Sequence, residues 1–273
     1  MIPFALLDVD YLFAFAPLAF GHLIIPPISR VRGFFQRREL NEAGEQIFQA
    51  IYDYFTPKEL WSMKNLKALM LDPDNMEGER MVTLLTHMFV HGDYHHLLGN
   101  LSTLFFCGHR VQQAFNTIGL YGIFFLSGMA CQVPSPIRVK QDLQKPLPMR
   151  VLHIVIPPLS CGSSGGVCGV LGANVVLAIC DGLSALQRNA KDKTTTPSGR
   201  TLRLVKTALS FWGPCVTLLT MYREWRDVGT AGFGIDNAAH IQGFAVGVVL
   251  ALLGQSLQLA TSGLLTGGTS ATK

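Results

Sequence analysis

Ser164, His240, His96 and Asn100 are residue types that could carry out acyl chemistry, and each lies in an otherwise apolar stretch. Ser164 sits in Cys161-Gly-Ser-Ser-Gly-Gly-Val-Cys168, with Gly162, Gly165 and Gly166 around it. Glycine permits unusual backbone angles and close approach, as a serine nucleophile at a tight loop-to-helix junction requires. Backbone N–H groups at a helix start can also stabilise an oxyanion. The same glycines suit close helix packing, because Gly165, Gly169 and Ala173 repeat every fourth residue, the small-residue pattern of membrane helix contacts. Taken alone, the motif reads more readily as packing.

Two histidine-bearing stretches could complete the chemistry. In Ala239-His-Ile-Gln-Gly-Phe-Ala-Val-Gly247, His240 precedes Gly243 and Gly247 at helical spacing and so shares their small-residue face. Two such faces can pack tightly and bring His240 against Ser164, where a histidine would activate the hydroxyl. By itself, His240 reads as a histidine satisfied by a backbone carbonyl. The third stretch runs from His87 through His91, Asp93, His95 and His96 to Asn100. Asp93 has the look of a helix N-cap, which puts His96 and Asn100 at i and i+4 on one face. Four histidines suggest a metal, but the stretch lacks HExxH and a suitably spaced Cys or carboxylate ligand. Donors from His96 and Asn100 aimed at one point suit an oxyanion hole instead.

These residues need apolar elements to position them, and the composition supplies those. Apolar residues make up 49% of the 273, and Asp, Glu, Lys and Arg only 15%, well under the roughly 25% charge of a soluble domain. Disorder, collagen-like sequence and a disulfide scaffold are excluded; the six cysteines form no CxxC pair. The net charge of +4 is scattered and leaves no nucleic-acid footprint. A bilayer crossing takes about 20 mostly apolar residues. Candidate segments fall at 11–25, 81–108, 117–133, 151–180, 207–222 and 237–272, so the chain is expected to be an all-α, multi-pass integral membrane protein with six helices. The first segment lacks the basic start and small-residue cleavage site of a signal peptide, and Pro26 and Pro27 follow it. Between the first two segments, Phe34, Phe35, Ile47, Phe48, Ile51, Phe55, Leu60 and Trp61 recur at near-helical spacing, which predicts a surface-lying amphipathic stretch. The 134–150 connection is polar with four prolines, and 181–203 is a solvated connection. Loop charge leaves orientation open, and no sorting signal names an organelle.

Three motifs occur in order: H-x3-H-x4-H-x3-N at His87, His91, His96 and Asn100; G-x-S-G at Gly162, Ser164 and Gly165; and A-H-x2-G-x3-G at Ala239, His240, Gly243 and Gly247. Together, on successive membrane regions, they resemble the rhomboid intramembrane serine proteases across about residues 81–255. The resemblance implies a six-helix bundle and a Ser–His dyad without a third carboxylate. Ser164 would be the nucleophile and His240 the general base and then acid. His96, Asn100 and the backbone at Ser164 would form the oxyanion hole. His91 would support a water-holding part of the site and His87 the first loop, while Gly162, Gly165, Gly243 and Gly247 would be structural. Substrates would be single-span or other transmembrane proteins in the lipid bilayer, cleaved in or near a membrane helix, with no cofactor and no metal. The layout would be a first helix and amphipathic loop over 1–80, a catalytic core over 81–260 and a short tail over 261–273. The chain departs from the pattern in three places. Cys168 stands where an aromatic often packs on the histidine, Val82-Thr83 replace a Trp-Arg pair, and the 134–150 loop is longer than expected. A non-catalytic binder of transmembrane segments is therefore the alternative. A transporter or channel using the histidines rests on those residues alone.

Overall fold

The computed structural model describes residues 8–28, 62–70, 82–133, 135–137, 161–191, 197–228 and 236–267. The amphipathic stretch expected over 34–61, nearly all of the 134–150 loop, and the 151–160 start of the fourth segment lie outside them. Among the described residues, eight helices run in chain order: α1 Val9–Ile24, α2 Met63–Leu69, α3 Thr83–Thr86, α4 Tyr94–Ala130, α5 Ser164–Lys191, α6 Pro197–Ser210, α7 Trp212–Arg226 and α8 Asn237–Gly267. A single 3-10 turn, His87–Phe89, follows α3. The described residues contain no strand.

Local chemistry sets several helix starts. Asp8 Oδ1 accepts from Tyr11 N at 3.0 Å to begin α1, and Asp93 Oδ1 accepts from His96 N at 2.8 Å to begin α4. Helix α4 is really two arms. At Asn116 the backbone takes φ 59° and ψ −176°, and its Oδ1 accepts from Ile118 N at 2.9 Å and Gly119 N at 3.2 Å, capping a new helix. A Cβ placed on Gly108 would lie 3.5 Å from Leu120 Cδ1. A continuous helix would separate those two residues by about 18 Å. The arms therefore fold back on one another as a hairpin, and α1 lies against both. Tyr11 Oη lies 2.8 Å from Leu104 O and 2.7 Å from Phe105 O in the first arm, and Tyr121 Oη of the second donates to Ala14 O at 2.7 Å.

With α6 and α7 continuing one another through Phe211, six rods form the bundle: α1, the two arms of α4, α5, α6–α7 and α8. Among the described residues, three stretches are long and apolar enough to cross a membrane: Ser164–Lys191, Thr201–Arg226 and Asn237–Thr261. This is an all-α polytopic membrane fold. Helix α5 is central, packed on both α4 and α8. Met88, Leu104, Leu120, Phe124, Val170 and Ala173 meet in the buried core around it. Phe13, Trp212 and Leu257 face outward at 75%, 72% and 67% exposure, a surface that suits lipid and not water.

Lipid tails are as apolar as leucine, so helices in a bilayer associate through close packing at small residues. Here that contact is α5 on α8. A Cβ on Gly243 would overlap the Gly165 carbonyl, one on Gly247 the Gly169 carbonyl, and one on Gly172 the Phe244 carbonyl. Both numbers rise together, so the two helices run parallel and touch backbone to backbone. Helix α8 also continues past residue 260, as far as Gly267.

Candidate active site

The serine turn precedes α5. Gly162 has φ +106°, a conformation that favours glycine, and a Cβ there would also lie 3.1 Å from His96 Nε2. Its N–H donates to His87 O at 2.9 Å, tying the turn to the histidine segment. Beyond it the two serines diverge. Ser163 is fully buried with Oγ 3.4 Å from His91 Nε2, whereas Ser164, the first residue of α5, is only partly buried. Ser164 is thus the more accessible of the two.

The histidine segment forms a layer beneath that turn. His91 Nδ1 lies 3.2 Å from Phe89 O, and a carbonyl can only accept, so Nδ1 carries the proton. Its Nε2 is then an acceptor, 3.1 Å from the buried Asn100 amide nitrogen and within reach of the Ser163 hydroxyl. The His96 ring stands edge-on to His91 with centroids 5.1 Å apart. His87 Nδ1 donates to Thr83 O at 2.8 Å, and Ile28 N donates to His91 O at 2.8 Å. Ile25, Leu66 and Val90 close one side of this layer, with Cys161 packed against them. The His22 ring of α1 joins it, 5.3 Å from His91.

His240 lies in the first turn of α8, where Asp236 Oδ1 accepts from Ala239 N at 3.0 Å. The parallel register matches Gly165 with Gly243, so His240 falls at about the level of Gly162, roughly 3 Å along the axis from Ser164. Ala239 O lies 3.7 Å from the position of a Gly165 Cβ, which fixes the same end of the contact. His96 and His240 are near enough to interact electrostatically. Ser164, His96 and His240 thus belong to one end of the bundle. On its other side, His240 Nδ1 lies 3.3 Å from Glu224 Oε2 of α7.

This arrangement spans the region that a family model recognises. The Rhomboid domain model matches residues 78–256, two thirds of the chain. The chain belongs to the rhomboid family. This rhomboid is also similar to RHOMBOID-like protein 4 of Arabidopsis thaliana, at 27% identity over 175 residues that cover 64% of the chain and 34% of the relative. It therefore spans about a third of the length of that curated relative.

Within this rhomboid, the Gly162, Gly165, Gly243 and Gly247 positions singled out from the sequence all lie at close backbone or ring approaches. Asn100 directs its amide nitrogen to His91, so one of its two N–H donors is engaged within the histidine layer. His95 is exposed on the opposite side of α4 from Leu97 and Asn100. Among the described residues, no cluster of three or more His, Cys, Asp or Glu side chains has metal-site geometry. Three residues of this region have no role in the sequence reading: Ser163, His22 and Glu224. Ser163 is adjacent to the motif serine, and His22 was visible as the lone polar residue of the first apolar segment. Glu224 sits among Arg223, Arg226 and Asp227 and carried no distinguishing local signal.

Proposed function

We propose that the chain is an intramembrane serine endopeptidase that hydrolyses peptide bonds in or near the transmembrane helices of single-span or other membrane proteins. The observation that carries this reading is the parallel glycine contact of α5 and α8, which puts Ser164 and His240 at one end of one interface. Ser164 Oγ attacks the substrate carbonyl carbon while His240 takes its proton. The carbonyl oxygen becomes an anion held by donors from His96, Asn100 and the backbone at Ser164. His240 then delivers the proton to the leaving amine nitrogen as the C–N bond breaks. Water attacks the acyl-enzyme and passes a proton to His240, which returns it to Ser164 Oγ as the acyl C–O bond breaks and the new carboxyl terminus leaves. The acid, base and nucleophile are all side chains, so this sequence needs neither metal nor cofactor. His87 and His91 organise the polar layer beneath the serine.

The protein acts as a multi-pass protein of the bilayer, with a catalytic core from residue 81 into α8, and 1–80 as first helix and loop. A substrate helix must unwind locally to present a peptide bond, so helix-destabilising residues near the cleavage point favour cleavage. The test is cleavage of a single-span substrate in proteoliposomes, together with fluorophosphonate labelling, in Ser164→Ala and His240→Ala. Both activities are expected to vanish in each variant, and survival of either would refute the reading. A second reading, a rhomboid-fold binder that holds transmembrane segments without cutting them, is favoured by Cys168, which is buried one turn beyond Ser164. Capture of membrane helices by wild type with no probe labelling would establish it instead.

A further inference from the structure

Glu224 stands where the proposed chemistry has a use for a carboxylate. It occupies the last turn of α7, and its Oε2 lies 3.3 Å from His240 Nδ1, with the two side chains 24% and 18% exposed. A neighbour on α8 holds it there. Asn237 Nδ2, at the first residue of α8, donates to Glu224 O at 3.3 Å, so the backbone and the side chain of Glu224 are both engaged by α8.

We propose that Glu224 is a positioning residue that orients His240 and turns the Ser164–His240 pair into a three-membered Ser–His–Glu relay. The inference rests on the serine-protease reading and names the residue that prepares its base. An ionised carboxylate only accepts hydrogen bonds, so the ring nitrogen facing it must carry the proton. The other nitrogen, Nε2, is then the unprotonated one, the form a general base requires. When His240 takes the Ser164 proton, the imidazolium has a carboxylate partner 3.3 Å away. The contact is at the long end for N–H···O and is of the kind that shortens when substrate is bound. Exposed ion pairs add little stability, so the effect lies in ring orientation and tautomer rather than in holding the fold together.

The experiment compares wild type, Glu224→Gln, Glu224→Ala, Asp227→Asn and Ser164→Ala in proteoliposomes. Readouts are kcat and KM for a single-span substrate, fluorophosphonate labelling rate, and thermal stability. A buried triad carboxylate is worth up to about 10⁴ in kcat, and this one is partly open to solvent. Glu224→Gln is therefore expected to lower kcat and labelling by about 10- to 100-fold with KM within about twofold and stability unchanged. Added formate is expected to restore several-fold activity to Glu224→Ala and none to Ser164→Ala, while Asp227→Asn matches wild type. Wild-type labelling in Glu224→Gln, or a Glu224→Ala protein that formate does not rescue, overturns the assignment. Those outcomes are distinct from failure of the protease reading, which shows instead as cleavage that persists in Ser164→Ala.

Discussion

Replacing Gly243 with alanine adds one methyl group at a backbone-to-backbone point of the α5–α8 contact, next to Ser164. A Cβ there would lie 3.0 Å from Gly165 Cα and 2.8 Å from Gly165 C, and would overlap the carbonyl oxygen. All three neighbours are backbone, so no side chain can rotate away. Relief to ordinary van der Waals separation requires the helices to part by about 1 Å. His240 is one turn before Gly243, and Ser164 immediately precedes Gly165, so that separation opens the gap between the proposed base and nucleophile. A misplacement of about 1 Å can lower a rate by about 10²-fold, and overpacking of this kind costs about 1–3 kcal/mol. The expected outcome is a protein that inserts and folds with reduced stability and loses about two orders of magnitude in kcat for a single-span substrate. Gly99→Ala is the control, because its Cβ would meet nothing within 4 Å, and it should retain wild-type cleavage. A Gly243→Ala protein that cleaves at the wild-type rate would show that this contact does not set the spacing of the two residues.

Gly162→Ala must adopt φ +106° and meet the His96 ring, so it should lose about 1–2 kcal/mol and most activity, read by denaturant titration in detergent and by labelling. Asn116→Val removes the cap of the second α4 arm and puts a β-branched residue at positive φ; a loss of about 2 kcal/mol is expected, whereas Asn116→Gly should cost less. Tyr11→Phe deletes the hydroxyl that ties α1 to α4 and should lower stability by about 1 kcal/mol without changing cleavage chemistry. The backbone N–H of Tyr11, and then His109 at 2.9 Å, hold the Asp8 carboxyl below its usual pKa of 3.8. Because the folded pKa is depressed, the stability this contributes is present above pH 3.8 and fades as pH falls further. Asp8→Asn should flatten the acid end of the unfolding profile, and an unchanged profile would rule the contribution out.

Hydropathy located the rods because a bilayer requires an apolar surface whatever the tertiary contacts. It misplaced their ends for the same reason. The second apolar segment stops at Gly108, yet the helix runs on to the Asn116 turn, carrying His109 to Asp8 and Arg110 within 3.7 Å of Asp181. Helix α5 likewise continues to Lys191, beyond the apolar limit at Cys180. A helix that leaves the hydrocarbon has no hydropathy signal, only propensity and a few ion pairs. Within the site, Ser164, His240 and the glycines stood out because polar or small residues are conspicuous in apolar runs. Glu224 was hidden because a carboxylate beside two arginines at a span's end looks solvated. Its relation to His240 arises only where the tip of α7 meets the first turn of α8. No local sequence pattern encodes that contact.

Three helix N-termini lie at the end of the bundle that holds Ser164, and their capping chemistry distinguishes them. Helix α4 places His96 against Gly162, and α8 brings Ala239 beside Gly165, so the starts of α4, α5 and α8 share one end of the bundle. Each carries about half a positive charge from unsatisfied N–H groups. On α4 and α8 an aspartate accepts from that first turn, Asp93 from His96 N and Asp236 from Ala239 N, so part of the field is already neutralised. The residue before α5 is Ser163, so no carboxylate caps that helix start. It is therefore the one of the three whose dipole no capping aspartate offsets, and it is the helix that begins at Ser164. In a charge-poor protein this has a physical logic. A lysine placed there would have to be desolvated within the membrane, whereas backbone dipoles are already oriented and require no ionised side chain. The scarcity of charge that marks the chain as a membrane protein is compatible with stabilising an anion, because the stabilising charge comes from the peptide backbone.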